Sequence, residues 1–127
     1  MARKKSDNPT DGELEILQVL WDRGASSAGD VQQALGGATG YTTVLKLLQI
    51  MLEKGIVTRD DSRRPHLYEA SDTRKRTRSK FVTSMARKLF GGSTADLAMH
   101  ALSEENITPG ELQEIRDLID QLEKKAK

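Results

Sequence analysis

Residues 41–70, YTTVLKLLQIMLEKGIVTRDDSRRPHLYEA, change their hydrophobic period once, and that change decides the fold class. From Thr42 to Lys54, Val44, Leu45, Leu47, Leu48, Met51 and Leu52 recur at helical spacing and make a broad apolar face. Gly55 ends the run. Ile56-Val57-Thr58 then reads as a brief strand and His66-Leu67-Tyr68-Glu69-Ala70 as its antiparallel partner. The charged stretch Arg59-Asp60-Asp61-Ser62-Arg63-Arg64-Pro65 connects the two.

Two helices precede this segment. Thr10-Asp11-Gly12-Glu13 has capping-box spacing: the Thr10 hydroxyl can accept an exposed backbone N–H while Glu13 returns to the cap N–H. Leu14, Leu17 and Trp21 follow on one face, with Ile16 and Leu20 beside them and Gly24 as the break. Ser27-Ala28-Gly29-Asp30 repeats the capping pattern ahead of a short helix carrying Val31, Ala34 and Leu35. Residues 36–40, GGATG, are too permissive to continue that helix and read as a turn. Three helices and a ribbon make a winged helix-turn-helix over residues 10–71. Helices alone are a commoner pattern, and the ribbon makes the reading specific.

Downstream, Asp72 through Leu89 can form a long helix with Phe81, Met85 and Leu89 along one face. Gly91-Gly92 breaks it, and Ser93 can cap a shorter helix that brings Leu97, Ala101 and Leu102 near one another. Thr108-Pro109-Gly110-Glu111 is the strongest local start signal, with a cap hydroxyl, proline at the first helical position and a reciprocal glutamate. The last helix carries Leu112, Ile115, Ile119 and Leu122, a spacing that suits a seam of about two heptads. The expected fold is thus mostly α with a small antiparallel β-wing. A basic flexible arm (1–9) leads into the winged helix-turn-helix (10–71), and a helical dimerisation region (72–127) follows. Each seam residue can also serve packing within one chain.

Charge separates two tasks. Residues 1–90 hold 16 Lys and Arg against 11 Asp and Glu, whereas residues 91–127 hold 4 against 8. A basic amino-terminal part can approach a polyanion, and an acidic tail is better used in protein contacts. The chain has no cysteine, which excludes disulfides and thiolate metal ligands. No run approaches the roughly 20 apolar residues that cross a bilayer, and Ala2-Arg3-Lys4-Lys5 leads into polar residues, so cytoplasmic placement without membrane insertion is expected. His66 and His100 are isolated in the sequence and lack a clear constellation of metal ligands. No phosphate-cradling glycine signature or hydrolase motif is present, so no catalytic residue, metal or cofactor is assigned.

The helix that opens near Thr42 follows a short helix across a tight turn, which makes it the candidate for insertion into the major groove of double-stranded DNA. Its candidate reading residues are Thr42, Thr43, Lys46 and Gln49. Threonine can meet base edges or phosphate, glutamine can pair with adenine, and lysine can reach guanine or phosphate. Tyr41 can touch phosphate or serve packing. Ser26 and Ser27 can donate to phosphate or act as helix caps alone. Arg59, Arg63 and Arg64 give the wing positive charge suited to backbone or minor-groove contact, opposed by Asp60 and Asp61. Arg74, Lys75, Arg76, Arg78 and Lys80 can add electrostatic affinity, though their spread around a helix keeps them from one phosphate row. A general architectural DNA binder and a protein-interaction adaptor on the same scaffold are the alternative readings.

Four stretches carry a resemblance: 13–21 (ELEILQVLW), 41–48 (YTTVLKLL), 52–59 (LEKGIVTR) and 90–93 (FGGS). Through them the chain, from about Thr10 to Leu122, resembles the BlaI/MecI/CopY family of bacterial penicillinase-type repressors. The resemblance implies a homodimer whose winged domains bind the two halves of an inverted-repeat operator at a promoter and exclude RNA polymerase. It implies dimer contacts through the acidic helical tail. In some members a membrane sensor-protease causes cleavage in the dimerisation region, and by family position that bond lies between His100 and Ala101. Well-known resistance repressors have asparagine and phenylalanine there. Copper-responsive members carry a cysteine-rich terminal site, which a chain without cysteine cannot form.

Overall fold

The computed structural model describes residues 8–126, so most of the arm expected over 1–9, and Lys127, lie outside the described residues. The described residues run in the order α1 (Asp11–Arg23), α2 (Ala28–Ala34), α3 (Tyr41–Lys54), β1 (Val57–Asp60), β2 (Leu67–Ala70), α4 (Arg74–Leu89), α5 (Thr94–Glu104) and α6 (Pro109–Ala126). This is the mostly helical fold with a small antiparallel ribbon that the pattern of periods predicts. Two compact units divide the chain, the first ending at Ser84 and the second beginning at Met85.

In the first unit, local chemistry starts each helix and burial holds it. The Thr10 N–H donates to Glu13 Oε1 at 3.0 Å and the Glu13 N–H returns to Thr10 Oγ1 at 3.3 Å, closing the expected capping box of α1. Ser27 and Asp30 do the same for α2 at 3.1 and 3.2 Å. Gly36 and Gly37 make the turn toward α3 with φ of 87° and 77°, in the left-handed region that a side chain rarely adopts. Helix α3 starts at Tyr41, one residue before the expected Thr42, with Gly40 as a cap that has no side chain to bond.

The core joins Ile16, Leu17 and Leu20 of α1 to Val31 of α2, Val44, Leu48 and Met51 of α3, Val57 of β1 and Tyr68 of β2. Leu45 departs from the sequence reading. Val44, Leu48 and Met51 share one fully buried stripe, and Leu45, turned about 100° from Val44, remains 38% exposed. The apolar face expected along α3 is therefore narrower than its leucine content suggests.

The ribbon differs in frame from the expectation. Val57, Thr58, Arg59 and Asp60 pair with Ala70, Glu69, Tyr68 and Leu67, so Arg59 and Asp60 belong to a strand and the connection shrinks to residues 61–66. Ile56 stays outside the ladder, because its N–H closes the end of α3 on the Met51 carbonyl at 3.0 Å. Ser26 adds a third pairing segment: its N–H donates to the Tyr68 carbonyl at 3.0 Å, and the Tyr68 N–H returns to the Ser26 carbonyl at 2.8 Å. The wing is thereby anchored on the segment between α1 and α2.

Helix α4 begins at Arg74 and not at the expected Asp72, because Thr73 takes the capping role through its hydroxyl, which accepts the Arg76 N–H at 3.1 Å. In the second unit, the Ser93 hydroxyl accepts the Asp96 N–H at 3.0 Å to start α5. Thr108 and Glu111 close a capping box at the head of α6 with bonds of 2.9 and 3.1 Å. Neither α5 nor α6 buries a residue.

Candidate nucleic-acid interface

One side of α3 is committed to the core, so the opposite side is defined by what remains. Tyr41, Thr42, Thr43, Leu45, Lys46 and Gln49 are all exposed. The four expected reading residues, Thr42, Thr43, Lys46 and Gln49, are therefore available to a partner. Lys54 closes the helix differently: its Nζ lies 2.8 Å from Oε1 of Glu13, a carboxylate only 2% exposed. This pair ties the start of α1 to the end of α3 and fixes how the latter is carried. Forty-one positions separate the two residues, too far for a local pattern to announce the contact.

The serines serve the scaffold. Ser26 Oγ donates to the Gly24 carbonyl at 2.9 Å and Ser27 Oγ accepts the Asp30 N–H, and both residues are buried. Buried and bonded to their neighbours in this way, they orient α2 and the wing anchor. Tyr41 is 47% exposed at the head of α3.

The acidic residues of the wing act within the wing. Asp60 Oδ1 accepts from the Ser62 amide at 2.9 Å and the Ser62 hydroxyl at 2.6 Å. The hydroxyl first, and then the amide, hold its carboxyl below the ordinary carboxylate range. Asp61 grips the Arg59 guanidinium through two hydrogen bonds, and its carboxylate, followed by the Tyr68 hydroxyl, raises the Arg59 pKa above its ordinary value. Arg59 thus keeps its positive charge but shares it with Asp61. Arg63 and Arg64 are exposed and have no hydrogen bond or ion pair among the described residues, although the charge of Arg63 reaches Asp60. His66 sits with Nδ1 3.7 Å from Asp61.

The basic run at the start of α4 divides in the same way. Arg74 bonds Asp22 at 2.6 Å and Gln18 at 3.3 Å and lies over the Trp21 ring, 5.4 Å from its centroid. Trp21 in turn donates to the Asp72 carbonyl at 2.9 Å. Arg76 and Lys80 both reach the Asp72 carboxylate, at 3.2 and 2.6 Å. Lys75 and Arg78 remain exposed without such partners among the described residues.

In the second unit the expected seam residues lie on open surfaces. Leu97 and Ile115 are half-buried, while Ala101, Leu102, Leu112, Ile119 and Leu122 are exposed. Met99 and Leu118 belong to the same exposed apolar set, and the strict seam spacing passes over them. Leu118 follows Ile115 by three residues, a neighbour on the helix surface that a broader helical stripe would include. His100 packs on Phe90 with ring centroids 5.8 Å apart, and His100 and Ala101 both lie within α5. Among the described residues no group of three or more potential ligands is placed to hold a metal ion, and no helix is long and apolar enough to cross a membrane.

A family model described as penicillinase repressor matches residues 9–121. A penicillinase repressor of Staphylococcus aureus is 21% identical to this chain over 115 residues, covering 89% of this chain and 91% of the relative.

Proposed function

Because the chain belongs to the penicillinase repressor family, we infer that it represses transcription in the cytoplasm by binding an inverted-repeat promoter operator as a homodimer. The observation that carries this reading is the division of α3 into a buried stripe of Val44, Leu48 and Met51 and an exposed side bearing Thr42, Thr43, Lys46 and Gln49. A helix so divided can enter the major groove without giving up its core. Arg63 and Arg64 supply wing charge for the phosphate backbone, and Tyr41 offers a hydroxyl at the helix head. Ser26 and Ser27 act indirectly, by holding α2 and the ribbon in place.

The exposed and half-buried apolar residues of the second unit support the dimer reading. Leu97, Ala101, Leu102, Leu112, Ile115, Ile119 and Leu122 form the association surface with a second copy, extended by Leu118. Linking two winged domains raises the effective concentration of the second at its half-site once the first is bound. Cleavage by a membrane sensor-protease between His100 and Ala101 would undo this linkage. Both residues are exposed but helical, so α5 must open locally before a protease can engage the bond. Coexpression with such a protease should produce a fragment ending at His100, and an intact chain under inducing conditions would remove this route.

Competition between a promoter palindrome and shuffled DNA at fixed salt tests the operator reading, since backbone attraction is common to both. The palindrome should win by at least about a thousandfold, as specific sites do over nonspecific ones. Gln49→Ala and Lys46→Ala should each lower palindrome binding, with about 1–3 kcal/mol lost where a paired base contact is removed. Equal competition by shuffled DNA would favour a general architectural binder. Absence of binding to either would leave the winged scaffold to a protein partner.

A further inference from the structure

Leu45 is the only leucine of α3 that is exposed. It occupies the middle of a row formed by Tyr41, Leu45 and Gln49, spaced four residues apart and therefore stacked along one side of the helix. Thr42 and Lys46 stand on the adjoining row, also exposed. Single exposed leucines are ordinary on protein surfaces. This one is distinguished by lying among the polar groups that would face base edges.

The major groove restricts what a leucine can meet there. Guanine presents acceptors, cytosine an amino donor and adenine one of each, while thymine alone adds an apolar group, its 5-methyl. An isobutyl side chain pressed on a polar edge would displace water from donors and acceptors without replacing their hydrogen bonds. Against the thymine methyl, the same contact removes two apolar surfaces from water. We propose that Leu45 is a specificity-determining residue that reads thymine through its 5-methyl group, one turn from the Gln49 amide. The assignment rests on the operator-binding reading above and adds to it the chemistry of a base that the operator contains.

Replacement of thymine by deoxyuridine removes the methyl and keeps the pairing edge, which makes the test direct. The probe is the tightest duplex that the full-length chain selects from a random-sequence library, with each thymine replaced singly. At one thymine per half-site, deoxyuridine should weaken wild-type binding about fourfold, the equivalent of one buried methyl group. The same replacement should leave binding by Leu45→Ala unchanged. Leu45→Ala should still unfold cooperatively with a midpoint only slightly below wild type, because Leu45 lies outside the buried core cluster. Should every deoxyuridine probe weaken both proteins equally, or neither, the thymine assignment is overturned while the operator reading stands. Selection that enriches no sequence defeats the operator reading and this assignment with it.

Discussion

Glu13 shows how much one side chain can organise when it is buried with its partners. A single oxygen, Oε1, accepts the Thr10 N–H and the Lys54 ammonium, so the residue that caps α1 also holds the far end of α3. Glu13→Ala should lose about 1.5–3 kcal/mol in urea unfolding, the range for hydrogen bonds to a charged group. Thr10→Ala should lose about 1 kcal/mol, because only the cap is removed. Equal losses would mean that the Lys54 bond contributes nothing. Asp72 gives a pH-dependent counterpart. Lys80 above all, and Arg76 after it, hold its carboxyl below the ordinary value of 3.8. A depressed native pKa adds stability above that value, and the stability is lost as pH falls through the native pKa. Asp72→Asn should therefore be less stable than wild type at pH 7, by about 1 kcal/mol or less for so exposed a pair. The gap should close below pH 3.8, and a constant gap in thermal unfolding down to acid pH would refute the ionic contribution. The caps at Thr10, Ser27 and Thr108 were legible in the sequence because their partners lie three residues away. The contacts of Glu13 with Lys54 and of Arg74 with Asp22 span 41 and 52 positions, and no local spacing encodes them.

At the scale of elements, the wing shows a charge pattern that residue counting cannot resolve. Asp60 folds the turn and Asp61 holds Arg59, so the two acids shape the ribbon and leave Arg63 and Arg64 as the open cations at its tip. Arg63→Ala and Arg64→Ala should each weaken DNA binding on every sequence alike and reduce the salt slope by about one. Arg59→Ala should change the slope less, because its guanidinium is already paired. A slope loss as large at Arg59 as at the tip would refute this division. The existence of both strands was legible from the change of period after Gly55. Their frame was not: Ile56 is drawn into the end of α3, and Arg59 and Asp60 are drawn into the ladder opposite Tyr68 and Leu67. Competition for backbone hydrogen bonds, a nonlocal quantity, moves those boundaries.

For the whole molecule, the second unit poses the question of what covers it. Helix α5 has 11 residues and α6 has 18, and neither buries a side chain, with Ile119 and Leu122 left 48% and 55% exposed. Helices of this length draw most of their stability from packing of an apolar face. Ile115→Asp with Leu122→Asp should convert a dimer to a monomer by sedimentation and abolish the advantage of paired half-sites. Weak binding to a single half-site should survive, since α3 and the wing lie in the first unit. Unchanged mass and unchanged operator affinity in the double variant would move the association surface elsewhere.

Which segments are helical, that a two-stranded ribbon follows Gly55 and which end of the chain is basic are all written in the sequence, because capping, period and charge are encoded within a few residues. The packed fold alone settled that Leu45 faces outward, that Lys54 meets Glu13 and that Arg74 is held by Asp22. Those outcomes depend on which side of each helix the core claims and on ion pairs between segments far apart in the chain. Burial and long-range pairing are properties of the packed arrangement, and no spacing along the chain specifies them.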